Sequence, residues 1–254
     1  MTGKSYLLAT VAAFGLLGAS QAEAAPPSPP PYSWTGWYFG GNAGYSWGRA
    51  DSSYVDTAFA SLGLPISYLS TEALNGPVWG GQAGYNWQID NWTVIGLEAD
   101  FQGTGEKGTT TFALVSDCEG VCSIHHTQSE KISWFGTVRG RFGYLLNSVL
   151  WTYATAGLAY GRITGSGTVA DSNCACSWSY SKSSTNVGVA AGFGMEGLLP
   201  TSSFGKWSWK VEYLYVNLGW VSGTGINPDF QTPYSWSARV TDNIVRAGLN
   251  LHFP

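Results

Sequence analysis

The sequence predicts an all-β fold: a closed eight-stranded antiparallel transmembrane β-barrel with four long outer loops and short periplasmic turns. Three observations carry that expectation. The dominant hydrophobic period is two, with an apolar and aromatic face opposed to a face of Gly, Ser, Asn and charge. The alternating segments run roughly 11 to 16 residues, where a soluble strand averages about 5 to 6 and about 9 to 11 tilted residues cross a bilayer. The connections between them alternate in length, about 28, 2, 27, 5, 21, 8 and 19 residues, so one end carries long loops and the other short turns, as in outer-membrane barrels.

Composition agrees and narrows the function classes. Only 11% of the 254 residues are charged, against about a quarter in an average globular domain, while 34 Gly and 13 Trp enrich the chain in its smallest and largest side chains. Beyond the N-terminal segment no run of about 18 apolar residues exists to form a spanning helix. A net charge of −4 leaves no basic stripe, so no nucleic-acid partner is expected.

In chain order, residues 1–24 read as a cleaved signal peptide: Lys4, an apolar run from Tyr6 to Leu17, then Ala22-Glu23-Ala24 as a small-x-small cleavage site. Residues 25–33 form a Pro-rich periplasmic tether with no fold of its own. The barrel domain covers 34–254, its strands expected at Gly36–Gly48, Val78–Ile89, Trp92–Gly103, Lys131–Tyr144, Leu150–Ile163, Thr185–Leu198, Trp207–Leu218 and Ala238–Phe253. Asp90-Asn91, Asn147-Ser148 and Pro200 to Ser203 mark the three short turns. Closure is required because an open sheet in lipid leaves amide groups unpaired at several kcal/mol each. Eight strands leave a lumen that side chains fill, so a plugged barrel is the default. A soluble lipocalin-like barrel is the rival fold, but its water-facing surface would be starved of Lys and Glu.

Trp37, Trp47, Trp79, Trp87, Trp134, Trp207 and Trp209 lie near strand ends and are expected at the membrane interfaces. Glu98, Asp100, Glu196 and Glu212 balance Arg139, Arg141, Lys210 and Arg246, all at the parity of the small polar residues, and are expected in the lumen. Pairing is expected between neighbouring strands, Glu98 and Asp100 with Arg139 and Arg141, and Glu212 and Lys210 with Arg246. The same residues would line a narrow ion path if the lumen were wet. Cys118, Cys122, Cys174 and Cys176 fall in two outer loops, where an oxidising compartment favours disulfides of undecided connectivity. Their spacings differ from a zinc knuckle, and no metal is expected. His125 and His126 with Ser129 and Glu130 are the nearest approach to a catalytic constellation. They lie at an expected loop-strand boundary where surface His is common, and no enzymatic activity is expected.

The run Trp34-Thr-Gly-Trp-Tyr-Phe-Gly-Gly-Asn-Ala-Gly-Tyr45, together with Gly136 to Tyr144, Tyr153 to Gly161, Lys210 to Tyr215 and Asn243 to Phe253, resembles the small alphaproteobacterial outer-membrane immunogenic proteins. The resemblance covers nearly all of the chain after residue 34 except the long loops. It implies an OmpA-like, porin-like eight-stranded barrel, abundant and surface-exposed, in the outer membrane of a Gram-negative bacterium. Haem binding by some relatives makes His125 and His126 a candidate axial pair, although no cofactor is expected from the residues themselves. The partners implied are outer-membrane lipid and lipopolysaccharide, the barrel-assembly machinery, host or phage surfaces, and further copies of the chain. One departure is expected to bear on assembly: such barrels usually end on an aromatic residue, whereas here Pro254 follows Phe253. The function expected is a structural, surface-exposed barrel supporting envelope integrity, with a narrow channel or a haem receptor as alternatives.

Overall fold

Every segment with period-two alternation forms a strand, and most of them continue well past the point where the alternation in the sequence fades. The computed structural model describes residues 32–56, 66–116, 122–171, 176–200, 205–226, 231 and 233–253. The expected signal segment, most of the Pro-rich tether, Pro254, Cys118 and Cys174 lie outside the described residues. The strands are β1 (Gly36–Asp56), β2 (Ile66–Gln88), β3 (Thr93–Thr104), β4 (Lys107–Ser116), β5 (Cys122–Asn147), β6 (Leu150–Asp171), β7 (Cys176–Leu198), β8 (Lys206–Ile226) and β9 (Pro233–Phe253).

β3 and β4 are two parts of one stave, broken at Gly105 and Glu106, and both pair with β2 and β5. β1 pairs with both β2 and β9, so eight antiparallel staves close on themselves and no edge faces lipid. Hydrogen-bonded partners followed once around the wall lead from Trp47 through Asn243, Tyr215, Ala191, Ala156, Gly140, Leu97 and Tyr85 to Trp37, ten residues lower on the same strand. With strands about 4.8 Å apart and a rise of about 3.3 Å per residue, that stagger sets a tilt of about 40°.

The outer surface of β1 shows the lipid-facing pattern. Trp37, Phe39, Tyr45 and Trp47 are exposed and bracket Gly41 and Ala43. At that tilt the stretch from Trp37 to Trp47 rises about 25 Å, the height of the apolar band on such barrels. Trp37, Trp87 and the half-exposed Trp207 and Trp209 stand at the lower end, and Trp47, Trp79 and the half-exposed Trp134 stand toward the upper one.

The strands were expected to stop near that upper girdle, and they do not. β5 alone has 26 residues, and the strands take in most of the expected long loops, β1 running on to Asp56, β2 starting at Ile66, β4 and β5 reaching Ser116 and Cys122, β6 and β7 Asp171 and Cys176, and β8 and β9 Ile226 and Pro233. The cause is an inversion of the amphipathic pattern. Within the band the apolar side chains point outward, but above it Ala50, Tyr54, Leu74, Ile132, Ile163, Tyr180, Trp236 and Val240 point inward and form one buried core. Their outward neighbours are Arg49, Asp51, Thr71, Lys131 and Ser181. The period stays at two while its apolar phase shifts by one residue, so each hairpin continues as a water-washed wall around an apolar plug.

Candidate functional site

The lumen at membrane level is filled by charge. Glu98 and Asp100 on β3, Arg139 and Arg141 on β5, Glu196 on β7, Lys210 and Glu212 on β8 and Arg246 on β9 all point inward and are buried. Arg139 is the hub. Its guanidinium donates to Glu98 Oε1 at 2.6 Å, Asp100 Oδ2 at 3.0 Å and Glu212 Oε1 at 3.1 Å, and its Nε to Thr137 Oγ1 at 2.8 Å. Arg246 binds Asp100 at 2.7 Å and Glu212 at 2.6 Å. Lys210 Nζ lies 2.9 Å from both oxygens of Glu98.

Arg141 reaches across to Glu196 at 2.6 Å and packs its guanidinium 4.0 Å from the centre of the Tyr153 ring. The Tyr38 hydroxyl accepts from Arg141 Nη1 at 2.7 Å and donates to Glu98 Oε2 at 2.8 Å. Pairing restricted to adjacent strands is therefore too narrow a description. Glu98 binds Lys210 four staves away, on the opposite side of the barrel, and Arg141 binds Glu196 rather than Asp100. An eight-stranded lumen is narrow enough for an Arg to span it, which joins all eight groups into one network. Four carboxylates face four cations, and the desolvation cost of each is met by several charge-assisted hydrogen bonds.

Small residues make the room. A Cβ added to Gly44 would come within 2.7 Å of Arg246 Cβ, and one added to Gly194 within 2.7 Å of the Tyr153 hydroxyl. The glycines on the polar parity thus hold the wall back from the largest side chains of the network.

Both ends of this cluster are sealed. Below it Trp34, just before β1, is fully buried against Trp151, at a ring separation of 5.8 Å, and His252, at 5.5 Å, and its amide donates to Gln88 Oε1 at 3.0 Å. Tyr32, expected within an unstructured tether, instead packs on Trp34 and under the Lys206 ammonium. His252 lies 3.2 Å from Glu196. Above the cluster stands the apolar plug of Leu74, Phe135, Leu214 and Ile244.

A second polar layer lies higher, toward the outer end. Glu72, Glu106, Glu130 and Asp242 are buried there, and none of them takes part in the ion pairs of the described residues, all of which join lumen groups lower down. Glu72 faces Glu130, and Glu106 faces Asp242. Gln128 donates to Glu130 Oε1 at 2.6 Å, but no donor reaches Glu130 Oε2 or either oxygen of Glu72. Two acceptors facing each other away from water require a shared proton. Burial and the Glu130 carboxyl push Glu72 up to about 9. Sequence reasoning missed this layer, because Glu72 and Asp242 lie in stretches read as loop or strand margin. Their parity with Leu74, Val240 and Ile244 was the available signal.

His125 and His126 are consecutive in β5 and point to opposite faces, His125 out to solvent and His126 inward, 3.1 Å from the Tyr180 hydroxyl. They cannot approach one haem from one side of the wall. Ser129 likewise points outward and Glu130 inward, so the wall itself divides the four residues weighed as a catalytic constellation. Burial lowers His126 to about 4. Cys122 and Cys176 are the first residues of β5 and β7, while Cys118 and Cys174 lie outside the described residues. Among the described residues no group of three or more His, Cys, Asp and Glu could hold a metal ion.

Comparison with known proteins adds identity to this geometry. The family model described as outer membrane protein beta-barrel domain matches residues 9–253. The sequence is 34% identical to the 31 kDa outer-membrane immunogenic protein of Brucella melitensis over 264 residues, covering 98% of this chain and 100% of that protein. It is 28% identical to the 22 kDa outer membrane protein of Rhizobium leguminosarum bv. viciae, covering 89% of this chain and 82% of the other. Among solved structures, Neisserial surface protein A aligns with a TM-score of 0.38 and 13% identity, over 86% of this chain and 98% of that one.

Proposed function

The chain belongs to the outer membrane β-barrel proteins, alongside the immunogenic surface proteins of Gram-negative outer membranes, and from that premise we propose that it is a plugged, non-enzymatic barrel serving envelope structure and surface presentation. The single observation that carries this reading is the filled lumen. Eight buried charges are joined across the barrel, with an aromatic seal below and an apolar plug above. An ion path needs water-lined space between its charges, and here the carboxylates are occupied by Arg and Lys. The outer hairpins then supply contacts with host or phage surfaces, while membrane lipid and the assembly machinery act on the wall.

The deciding experiment is planar-bilayer conductance of refolded protein, with an Arg139→Ala variant alongside it and the unboiled gel-mobility shift as proof of folding. The wild-type protein should give no discrete openings. Stable openings in wild type, changed in size by Arg139→Ala, would replace this reading with a narrow channel whose filter is the charge cluster.

A further inference from the structure

The chain has 12 Lys and Arg residues, and the fold sorts them without remainder. Lys4 lies outside the described residues, Arg139, Arg141, Lys210 and Arg246 fill the lumen, and Lys206 sits at the lower rim over Tyr32. The other six, Arg49, Lys107, Lys131, Arg162, Lys182 and Arg239, are all exposed on the outer surface of the strand extensions above the apolar band.

Strand register fixes their heights. Arg49 is two residues above Trp47 on β1, and Arg162 two above Tyr160 on β6. Lys131 lies just beyond Trp134 on β5, with Lys107 directly opposite it on β4, and Arg239 pairs with Trp220. With about 2.5 Å of axial rise per residue and a downward step of about 3 Å from each strand to the next, these five Cα atoms fall within about 5 Å of one plane. Lys182 stands higher, two residues beyond Tyr180 toward the membrane.

We propose that Arg49, Lys107, Lys131, Arg162 and Arg239 form a belt that binds the phosphate groups of outer-leaflet glycolipid around the wall of the barrel. The height is that of headgroups, because the belt lies directly above indoles of the upper girdle. Its spread over five staves suits many small anionic headgroups rather than one macromolecular footprint. Lys107 and Lys131 face each other across the ladder, an arrangement that costs stability unless an anion lies between them. The one acidic side chain described on the outer face at this level is Asp51, which stands opposite Arg239 on the ladder and whose carboxylate accepts from Thr71 at 2.9 Å. The belt rests on the placement in the membrane and holds whether or not the lumen conducts.

The test uses the full barrel refolded in neutral detergent, wild type against a variant carrying Arg49→Gln, Lys107→Gln, Lys131→Gln, Arg162→Gln and Arg239→Gln. The probes are bisphosphorylated lipid A and the same lipid with its phosphates removed. Wild type should bind the phosphorylated lipid about tenfold or more tightly than the variant does, with the difference shrinking as salt shortens the screening length and vanishing for the dephosphorylated lipid. Equal binding by the two proteins, or equal binding of the two lipids by wild type, overturns the proposal. Should the fivefold variant not refold, Lys107→Gln with Lys131→Gln serves alone. Without lipid it should unfold at the same or a higher temperature than wild type, and a gain from lipid A as large as that of wild type would overturn the belt equally.

Discussion

The lower and upper halves of the lumen are built from the same strands and solve the burial of charge in opposite ways. At membrane level, four carboxylates meet four cations, and each oxygen of Glu98 and Glu212 is bound by at least one Arg, Lys or Tyr donor. Toward the outside, Glu72, Glu106, Glu130 and Asp242 are as deeply buried, yet they face one another and neutral donors such as Gln128, with no cation beside them among the described residues. The lower network holds its charges by Coulomb attraction, whereas the upper pairs can be held only by giving charge up. The difference teaches that burial of a carboxyl does not by itself imply an ion pair. The fold can supply a counter-ion or retain a proton, and the two choices respond to mutation and to pH in opposite directions.

Removing one member from each layer gives the largest contrast. Arg139→Ala leaves Glu98, Asp100 and Glu212 short of their common partner in a fully buried site, and should cost about 3 to 5 kcal/mol. The temperature at which the folded gel band disappears should fall accordingly. Glu72→Gln removes a carboxyl that already holds a proton, so at neutral pH the same measurement should show little loss or a gain. A loss from Glu72→Gln as large as that from Arg139→Ala would mean that the upper layer is also an ion-paired network and would erase the distinction.

Much of this was legible in the sequence, and the gap has a physical cause. The staves, the short turns and the parity of the lumen charges follow from period-two alternation, because inside the membrane the outward face must be apolar and the inward face of a narrow barrel must be polar. Above the girdle both requirements reverse. Arg49, Asp51 and Ser53 continue the outward parity of Trp47, and Ala50 and Tyr54 continue the inward parity of Ser46. A reader following an apolar outward face therefore loses the strand where lipid gives way to water. The cross-lumen partners were illegible for another reason: which Arg reaches which carboxylate depends on strand stagger, and a stagger of ten residues per turn is a property of the closed wall that no one segment encodes. Trp34 was placed in the barrel domain, but nothing in its flanking residues marks it as the lower seal.

Protonation gives the finer test of the upper layer. Glu72 binds its proton more tightly in the folded barrel than in the unfolded chain, its folded value lying near 9 because of burial and the facing Glu130. Its contribution is therefore complete below the ordinary carboxylate range of about 4 and declines as pH rises toward 9. The slope cannot exceed that of one proton, about 1.4 kcal/mol per pH unit. Wild-type stability should fall between pH 7 and 9, and Glu72→Gln should flatten that decline. An unchanged slope would sever Glu72 from it.

His126 produces the smallest effect and one of opposite sign. Its folded value is lowered to about 4 by burial, so its neutral form is favoured by folding. That contribution is present above about 6.5 and is lost as pH falls toward 4. Between pH 4 and 6.5 this loss opposes the gain from Glu72 and from Glu106 and Asp242, whose carboxyls burial raises as well, so wild-type stability should still rise as pH is lowered, but less steeply than the carboxyls alone would give. His126→Gln removes only the acid-side loss, so the variant should gain stability more steeply than wild type as pH is lowered from 6.5 to 4 while keeping the wild-type decline above 7. If the variant instead follows the wild-type curve over the acid range, the His126–Tyr180 contact at 3.1 Å is packing without a titration.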